Sequence, residues 1–270
     1  MKWSIVFILL HNVFFHLNLY NDIYGWRGEV SHLYGWQDVA VRIVHVVTRM
    51  TDNEQLLGGY WFLKALLFGS LIGYATIKYV KNIRIGGGYL FCITVGLALV
   101  HKNIPYFAIG ARDTFAALFF LAGYWYKTSQ YKIHDKIIIL PVAIVLITLG
   151  KELYQATLLN FVWWKVLPYG ITAVAGTLAV LYLSKKIVAR DCRATKVLTY
   201  IGNNTLTILT WHMLSFKVVS LIIICIYGLP IERLAEFPVI EEYSKQGWFI
   251  LYFLMGTLIP LGMTRIKNLK

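Results

Sequence analysis

Four ionisable side chains lie within long apolar stretches of this sequence. They are Lys64, Arg112, Asp113 and His212. An ionised group inside hydrocarbon is costly unless it is paired, hydrated or able to extend to the membrane interface. Each of the four is therefore a candidate for substrate binding or proton transfer, and an interhelical partner is the structural alternative for each.

His212 is the candidate for acid–base chemistry. It follows Ile201 by eleven residues, which places it about 16 Å along a predicted helix and near the middle of the membrane. Thr205 and Ser215 share its helical face. An imidazole there can act as a general base, orient another base or hydrogen-bond across helices, and these alternatives stay open. Lys217 lies on another face, where its long side chain can reach the surface.

The other three side chains are candidates for binding charge or hydroxyl groups. Arg112 is seven residues past Pro105, about 10 Å into a predicted helix, and Asp113 points about 100° away from it. We expect each to have a partner on another helix or to face a hydrated cavity that holds an anionic or hydroxyl-rich substrate. Lys64 is five residues past Gly59, so reaching the outer surface is the alternative to a binding role.

Motifs of several other reaction classes are absent from the sequence. It has no Walker loop, no GxGxxG, no GxSxG, no HExxH and no CxxC. Cys92, Cys192 and Cys225 have neither metal-ligand spacing nor the pattern of a disulfide framework, and we interpret them as packing residues. The sequence predicts no metal site.

The composition predicts an all-α integral membrane bundle. Of the 270 residues 58% are hydrophobic and 14% charged, and the mean hydropathy is +0.62. Backbone amides in lipid must be satisfied within each segment, and the apolar runs are continuous rather than alternating, so helices are expected and a barrel is not. With about 20 apolar residues per span, we predict membrane helices at 3–20, 59–77, 85–101, 105–126, 137–150, 166–184, 201–227 and 246–264.

The distribution of charge predicts the topology of these eight spans. The net charge of +13 would suggest a nucleic-acid partner in a soluble protein, but here the basic residues cluster between apolar runs. The basic clusters are 78–84, 127–136, 185–196 and 265–270. If positive residues stay inside, these clusters and both termini are cytoplasmic, and 228–245 is outside. The protein is then a multi-pass protein of the cytoplasmic (inner) membrane whose partners include lipids but no nucleic acid.

The one long loop, 21–58, is predicted to be extracytoplasmic. With Tyr20 beside it, it carries side chains that bind sugars or close a site, namely Asp22, Tyr24, Trp26, Tyr34, Trp36 and Asp38. A helix is predicted to begin after Asp38 as its N-cap, with Arg42, His45 and Arg49 on one face opposite valines. This is the pattern of a helix lying in the membrane interface. Anchoring or lid formation is the first interpretation, and direct substrate contact is the second.

Three segments of the sequence carry short motifs that are informative when they are taken together. GGYWFLKALLFGSLIGY (58–74) has a Trp-Phe-Leu opening, FFLAGYWYK (119–127) has Phe-x-x-Gly-Tyr before a basic loop, and IGNNTLTILTWHM (201–213) has Gly-x-x-Thr-Leu-x-Ile-x-x-x-His. Together they resemble the acyltransferase 3 family of membrane O-acyltransferases, whose members acetylate or succinylate lipopolysaccharide, capsule, peptidoglycan and related glycans.

The resemblance implies a function and roles for particular residues. It implies O-acetylation of an extracytoplasmic polysaccharide or lipid-linked sugar of the cell envelope, with acetyl-CoA or another acyl-CoA as the donor substrate. His212 is then a pocket or proton-handling residue, Arg112 binds the donor phosphate or the developing charge, Lys64 binds substrate, and Trp61 and Tyr60 wall the acceptor side. The alternatives are a transporter or flippase of lipid-linked sugars, a glycan polymerase, and a non-catalytic remnant.

The start of the chain departs from the family's pattern. Family members have about ten core helices, and the first carries a basic residue some ten positions before a histidine held to be catalytic. Lys2 with His11 or His16 is a poor match for that pair. We therefore expect 1–270 to be a single acyltransferase 3-like domain that is incomplete at its N-terminus and inactive alone.

Overall fold

The structure, a computed structural model, is helical almost throughout. It describes residues 1–24, 32–80, 82–129, 136–154, 162–190 and 192–267. Within these ranges there is no strand, only an isolated bridge between Ile104 and Ile109. The all-α class is confirmed for the described residues. Several residues of the predicted loops lie outside them, namely Trp26, Lys81, Lys132 and Lys270.

The described α-helices follow one another along the chain. They are α1 (Lys2–Leu9), α2 (His11–His16), α3 (Trp36–Arg49), α4 (Tyr60–Tyr79), α5 (Ile83–Val100), α6 (Ala111–Thr128), α7 (Ile139–Tyr154), α8 (Val166–Val188), α9 (Arg193–Asn203), α10 (Thr205–Tyr227), α11 (Glu241–Tyr243) and α12 (Phe249–Lys267). A kink separates α11 from α12 at Gly247, whose φ of 102° is one that glycine adopts without steric cost.

Five helical segments are long and apolar enough to cross a membrane. They are Tyr60–Tyr79, Ile83–Val100, Trp163–Val188, Thr205–Tyr227 and Glu241–Arg265. Among the other predicted spans, the first is divided into α1 and α2, and α7 has 16 residues. The 18 residues of α6 include three charged side chains, Arg112, Asp113 and Lys127. The count of eight and the cytoplasmic placement of both termini stay predictions.

The chain divides into two compact units. The first comprises Met1–Phe62 and Leu198–Lys270, and the second comprises Leu63–Val197. In the first, α10 packs against α12; in the second, α5 packs against α6 and α7 against α8. Small residues allow some of these helices to approach closely. At Gly69 in α4, for example, an added Cβ would lie 2.6 Å from the Cβ of Ala116 in α6.

Helix α3 begins earlier than the sequence predicts. Its N-cap is Gly35 rather than Asp38, so the predicted cap is wrong. Asp38 is the third helical residue, and its Oδ2 accepts a hydrogen bond of 2.9 Å from the Gly35 amide. A carboxylate at this position satisfies a free amide at the helix start as well as a cap residue does. Asp38 therefore does mark the start of the helix, but it lies at the third helical position and not at the N-cap.

Candidate active site

His212 lies nearer the start of its helix than the sequence predicts. The expected single helix from 201 is interrupted at Asn204, whose φ of −107° and ψ of 14° are not helical, and α10 begins at Thr205. Asn204 instead hydrogen-bonds through its side-chain amide to the Tyr200 carbonyl at 2.8 Å. His212 is thus seven residues into the 23-residue α10, about 10 Å from its start, and its place near the middle of the membrane stays a prediction.

The imidazole of His212 is held in one tautomer when it is neutral. Its Nδ1 lies 3.0 Å from both the Ile208 and the Leu209 carbonyl oxygens. A carbonyl oxygen only accepts, so Nδ1 carries the proton and the lone pair is on Nε2. Among the described residues Nε2 has no hydrogen-bond partner, and the side chain is half-buried. A positioned neutral imidazole with a free Nε2 is what a general base requires.

The hydroxyls that share the face of His212 do not bond to it. Thr205 Oγ1 donates to the Gly202 carbonyl at 2.6 Å, and Ser215 Oγ donates to the Trp211 carbonyl at 2.9 Å. Hydroxyl side chains in helices commonly bond to the preceding turn in this way. The polar stripe predicted from the sequence is present, but both of its hydroxyl groups are hydrogen-bonded to the helix backbone.

The start of α4 lies against the same part of α10. A Cβ added to Gly59 would be 2.6 Å from Leu209 Cδ1 and 3.6 Å from His212 Cε1. Tyr60 is buried, and its hydroxyl is 2.8 Å from Thr210 Oγ1. Trp61 is half-buried. Gly59 thus lies next to the imidazole of His212. The neighbouring Tyr60 is hydrogen-bonded to α10 two residues before His212.

Arg112 is the second residue of α6 and not about two turns inside the helix, as the sequence predicts. The predicted helix from 105 is wrong, because α6 begins at Ala111. Before it, the Ile104 amide donates to the Ile109 carbonyl at 2.8 Å and closes a tight loop. Asp113 Oδ2 then accepts from the Gly110 amide at 2.8 Å and so caps the helix. The Arg112 side chain is exposed.

Lys64 and Asp113 meet in the second unit. Lys64 Nζ is 3.8 Å from Asp113 Oδ2 and donates to the Ala108 carbonyl. Asp113 is buried, and the Lys64 side chain is 12% exposed. The expectation that Asp113 has a partner on another helix is confirmed, and Lys64 bonds within the chain instead of simply extending to the surface. His212 belongs to the first unit, and the hydrated cavity predicted beside Arg112 stays a prediction.

Comparison with known proteins decides the family. The model of the acyltransferase 3 family, described as an acyltransferase domain, matches residues 2–265. The chain belongs to the acyltransferase 3 family. No curated protein and no solved structure matches it. The resemblance found in the sequence is confirmed, and with its span-length helices this acyltransferase is a multi-pass membrane protein.

A second histidine of the acyltransferase forms a buried ion pair that the sequence analysis missed. His11 Nδ1 lies 3.0 Å from Glu54 Oε2, and neither side chain is exposed. His11 Nε2 lies 3.0 Å from the His32 carbonyl oxygen, and the Tyr34 ring stacks on the imidazole with 3.4 Å between centroids. Both ring nitrogens are engaged, so neither is left to contact a substrate. The available signal was a pair of polar residues, His11 and Asn12, inside an apolar helix.

Lys217 of the acyltransferase is also buried, contrary to the expectation that it reaches the surface. Only 3% of the residue is exposed. Its Nζ donates to the Leu234 carbonyl at 2.9 Å and to the Glu236 carbonyl at 2.8 Å. The ammonium group therefore anchors the segment between α10 and α11 to α10, because it satisfies two backbone oxygens of that segment.

Proposed function

We propose that this acyltransferase is an O-acyltransferase of the cytoplasmic membrane. It transfers an acyl group, acetyl in the simplest case, from acyl-CoA to a hydroxyl of an extracytoplasmic glycan or lipid-linked sugar. The observation that supports this is the state of His212, because its Nδ1 is tied to two carbonyl oxygens at 3.0 Å and its Nε2 is left to accept a proton. Family membership supplies the reaction class.

The proposed reaction uses His212 as a proton carrier. Nε2 accepts the proton of the acceptor hydroxyl as its oxygen attacks the thioester carbonyl carbon, so a C–O bond forms. Collapse of the tetrahedral intermediate breaks the C–S bond, and the imidazolium returns the proton to the departing thiolate of CoA. Such acid–base catalysis contributes about 10²- to 10⁴-fold in rate. The backbone bonds of Nδ1 persist through both steps, because Nδ1 remains a donor in the imidazolium.

The aromatic residues at the start of α4 differ in what they can offer an acceptor. The Tyr60 hydroxyl is taken by Thr210 at 2.8 Å and the residue is buried, so we assign Tyr60 to positioning α4 beside His212. Trp61 is half-buried, and its indole combines a large apolar surface with one N–H donor. We assign Trp61 to the wall of the acceptor site.

The charged residues of the second unit suit an anionic group. Arg112 is exposed at the start of α6, and a guanidinium binds phosphate or carboxylate through two parallel hydrogen bonds. In the predicted topology this end of α6 is extracytoplasmic, so we propose that Arg112 binds an anionic group on that side and not CoA, which approaches from the cytosol. Lys64 neutralises Asp113 at 3.8 Å and can share its charge with the same anionic group.

The proposal is tested by acyl transfer in membranes that contain the full chain. Incubation with radiolabelled acetyl-CoA should label an acceptor glycan, and such labelling would overturn the expectation that residues 1–270 are inactive alone. His212→Ala should lower the labelling by about 10²-fold or more while insertion and amount of protein stay unchanged. The matched control is His16→Ala, which removes an exposed histidine of the same unit. Normal labelling by His212→Ala would remove the base assignment, and movement of a lipid-linked sugar without acetyl transfer would favour a flippase.

A further inference from the structure

The helix α3 has three distinct faces. One face is exposed and carries no charge, and it consists of Trp36, Gln37, Ala40, Val41, Val44, Val47 and Thr48. At 100° per residue these positions occupy an arc of about 140°. Trp36 is 88% exposed and Val44 56% exposed. We call this arc the valine face. Its width is that of the apolar stripe with which an amphipathic helix normally packs on a protein core.

The basic face of α3 is used within the chain. The Arg42 guanidinium lies 4.5 Å from the centre of the Tyr34 ring, within the range of a cation–π interaction. His45 Nδ1 is hydrogen-bonded to Asp52 Oδ2. The third face contains Val46, which is 1% exposed. The helix therefore turns its charges toward its own chain and presents an uncharged surface outward.

The bilayer fits the valine face better than a protein partner does. The valine face has no charge with which to complement a polar protein surface. Its apolar side chains suit the hydrocarbon at the membrane interface, and headgroups of neutral net charge require no charge on the helix. Trp36 at its end is the residue type enriched at that boundary. With 14 residues, α3 is about 21 Å long and too short to cross a hydrocarbon core of about 30 Å.

The neighbouring helices also expose apolar side chains. Helix α1 packs against α3, and α1 with the residues after it exposes Leu9, Val13 and Leu17. The first unit therefore has exposed apolar side chains on α1 and α2 as well as on the valine face. An isolated exposed valine would be unremarkable on a soluble protein, but a contiguous patch of this kind marks a contact with another apolar phase.

We propose that α3 lies in the membrane interface with its valine face in contact with lipid acyl chains, and that this contact requires no anionic lipid. The usual interfacial helix offers basic residues to headgroups, whereas α3 uses its basic face to hold Tyr34 and Asp52. Lipid on one face and the Tyr34–His11 stack on the other then keep α3 in place. The inference is independent of the reaction proposed for His212.

The test places an environment-sensitive fluorophore on the valine face. In the full chain with Cys92, Cys192 and Cys225 replaced by serine, Val44→Cys carries the fluorophore, and Asp22→Cys, an exposed polar position of the same unit, is the matched control. After reconstitution in phosphatidylcholine vesicles, we expect a nitroxide near the top of the acyl chain to quench the fluorophore at Val44. We expect aqueous iodide to quench the one at Asp22.

Each alternative occupant has its own readout. Iodide quenching at Val44 without nitroxide quenching would place the valine face in water and overturn the proposal. Disulfide-linked dimers of the unlabelled Val44→Cys variant with no lipid quenching would assign the face to a second copy of the chain. Quenching that appears only when phosphatidylglycerol is added would refute the claim about neutral lipid. A second fluorophore position, Val47→Cys, should behave as Val44→Cys does.

Discussion

His11 and Glu54 form a charge-assisted pair with Nδ1 3.0 Å from Oε2, and neither side chain is exposed. The pair joins α2 to the segment before α4, and Asn12 strengthens the junction through reciprocal bonds with the Tyr34 backbone at 3.1 and 2.8 Å. Because both nitrogens of His11 are engaged, the pair holds the segment before α4 in place. The base in the proposed reaction is His212.

The first prediction concerns the stability that the His11–Glu54 pair provides. Glu54→Ala leaves the buried imidazole without its carboxylate, and removing one partner of a buried pair costs about 3–5 kcal/mol. Glu152→Ala is the control, because Glu152 pairs with Lys151 at the surface with 68% of its side chain exposed and such pairs contribute about 0–1 kcal/mol. Thermal unfolding of purified protein should separate the two variants, and equal midpoints would contradict the prediction.

The second prediction concerns the anchoring of the segment between α10 and α11. Lys217→Met removes the donor that satisfies the Leu234 and Glu236 carbonyl oxygens, and each buried group left unsatisfied costs about 1–3 kcal/mol. We expect faster proteolysis within 231–240 and a lower unfolding midpoint. Lys245→Met serves as the control, since the Lys245 side chain is 74% exposed. Unchanged proteolysis in Lys217→Met would show that the anchor is dispensable.

The third prediction concerns the close packing of α4 on α6. Gly69→Ala places a Cβ 2.6 Å from Ala116 Cβ and 3.1 Å from the Ala117 backbone amide, so the helices must separate, at a cost of about 1–3 kcal/mol. Gly96→Ala in α5 meets no atom within 4 Å among the described residues and should be neutral or slightly stabilising. The order of the two unfolding midpoints checks this, and a reversed order would refute it.

The fourth prediction concerns the reactivity and the side of Cys192. Hydrogen bonds from the Thr195 backbone amide, the Thr195 hydroxyl and the Ala194 amide lower the pKa of the Cys192 thiol, so more thiolate is present at a given pH. Alkylation should therefore reach half its maximum at a lower pH than alkylation of a free cysteine does. An impermeant reagent should modify Cys192 in inside-out vesicles and spare it in intact cells. The opposite sidedness would invert the predicted topology.

The membrane class, the family and the approximate positions of the span-length helices followed from the sequence alone. Hydropathy reports the membrane class and the helix positions directly, because a backbone in lipid must satisfy its own hydrogen bonds and so becomes helical wherever the chain is continuously apolar. The motif around His212 was informative as well, since Thr205 and His212 lie on one helix, α10, at a fixed spacing. These properties are local in the chain.

Helix starts and partners across the chain were decided by the tertiary structure. The start of α6 depends on the bond from Gly110 to Asp113 and on the Ile104–Ile109 bridge, which an apolar run does not reveal. The His11–Glu54 pair joins residues 43 positions apart. A polar side chain in an apolar segment can bond to a carboxylate, to its own backbone or to no group of the chain. Which of these occurs depends on the residues that pack beside it, and these are distant in the sequence.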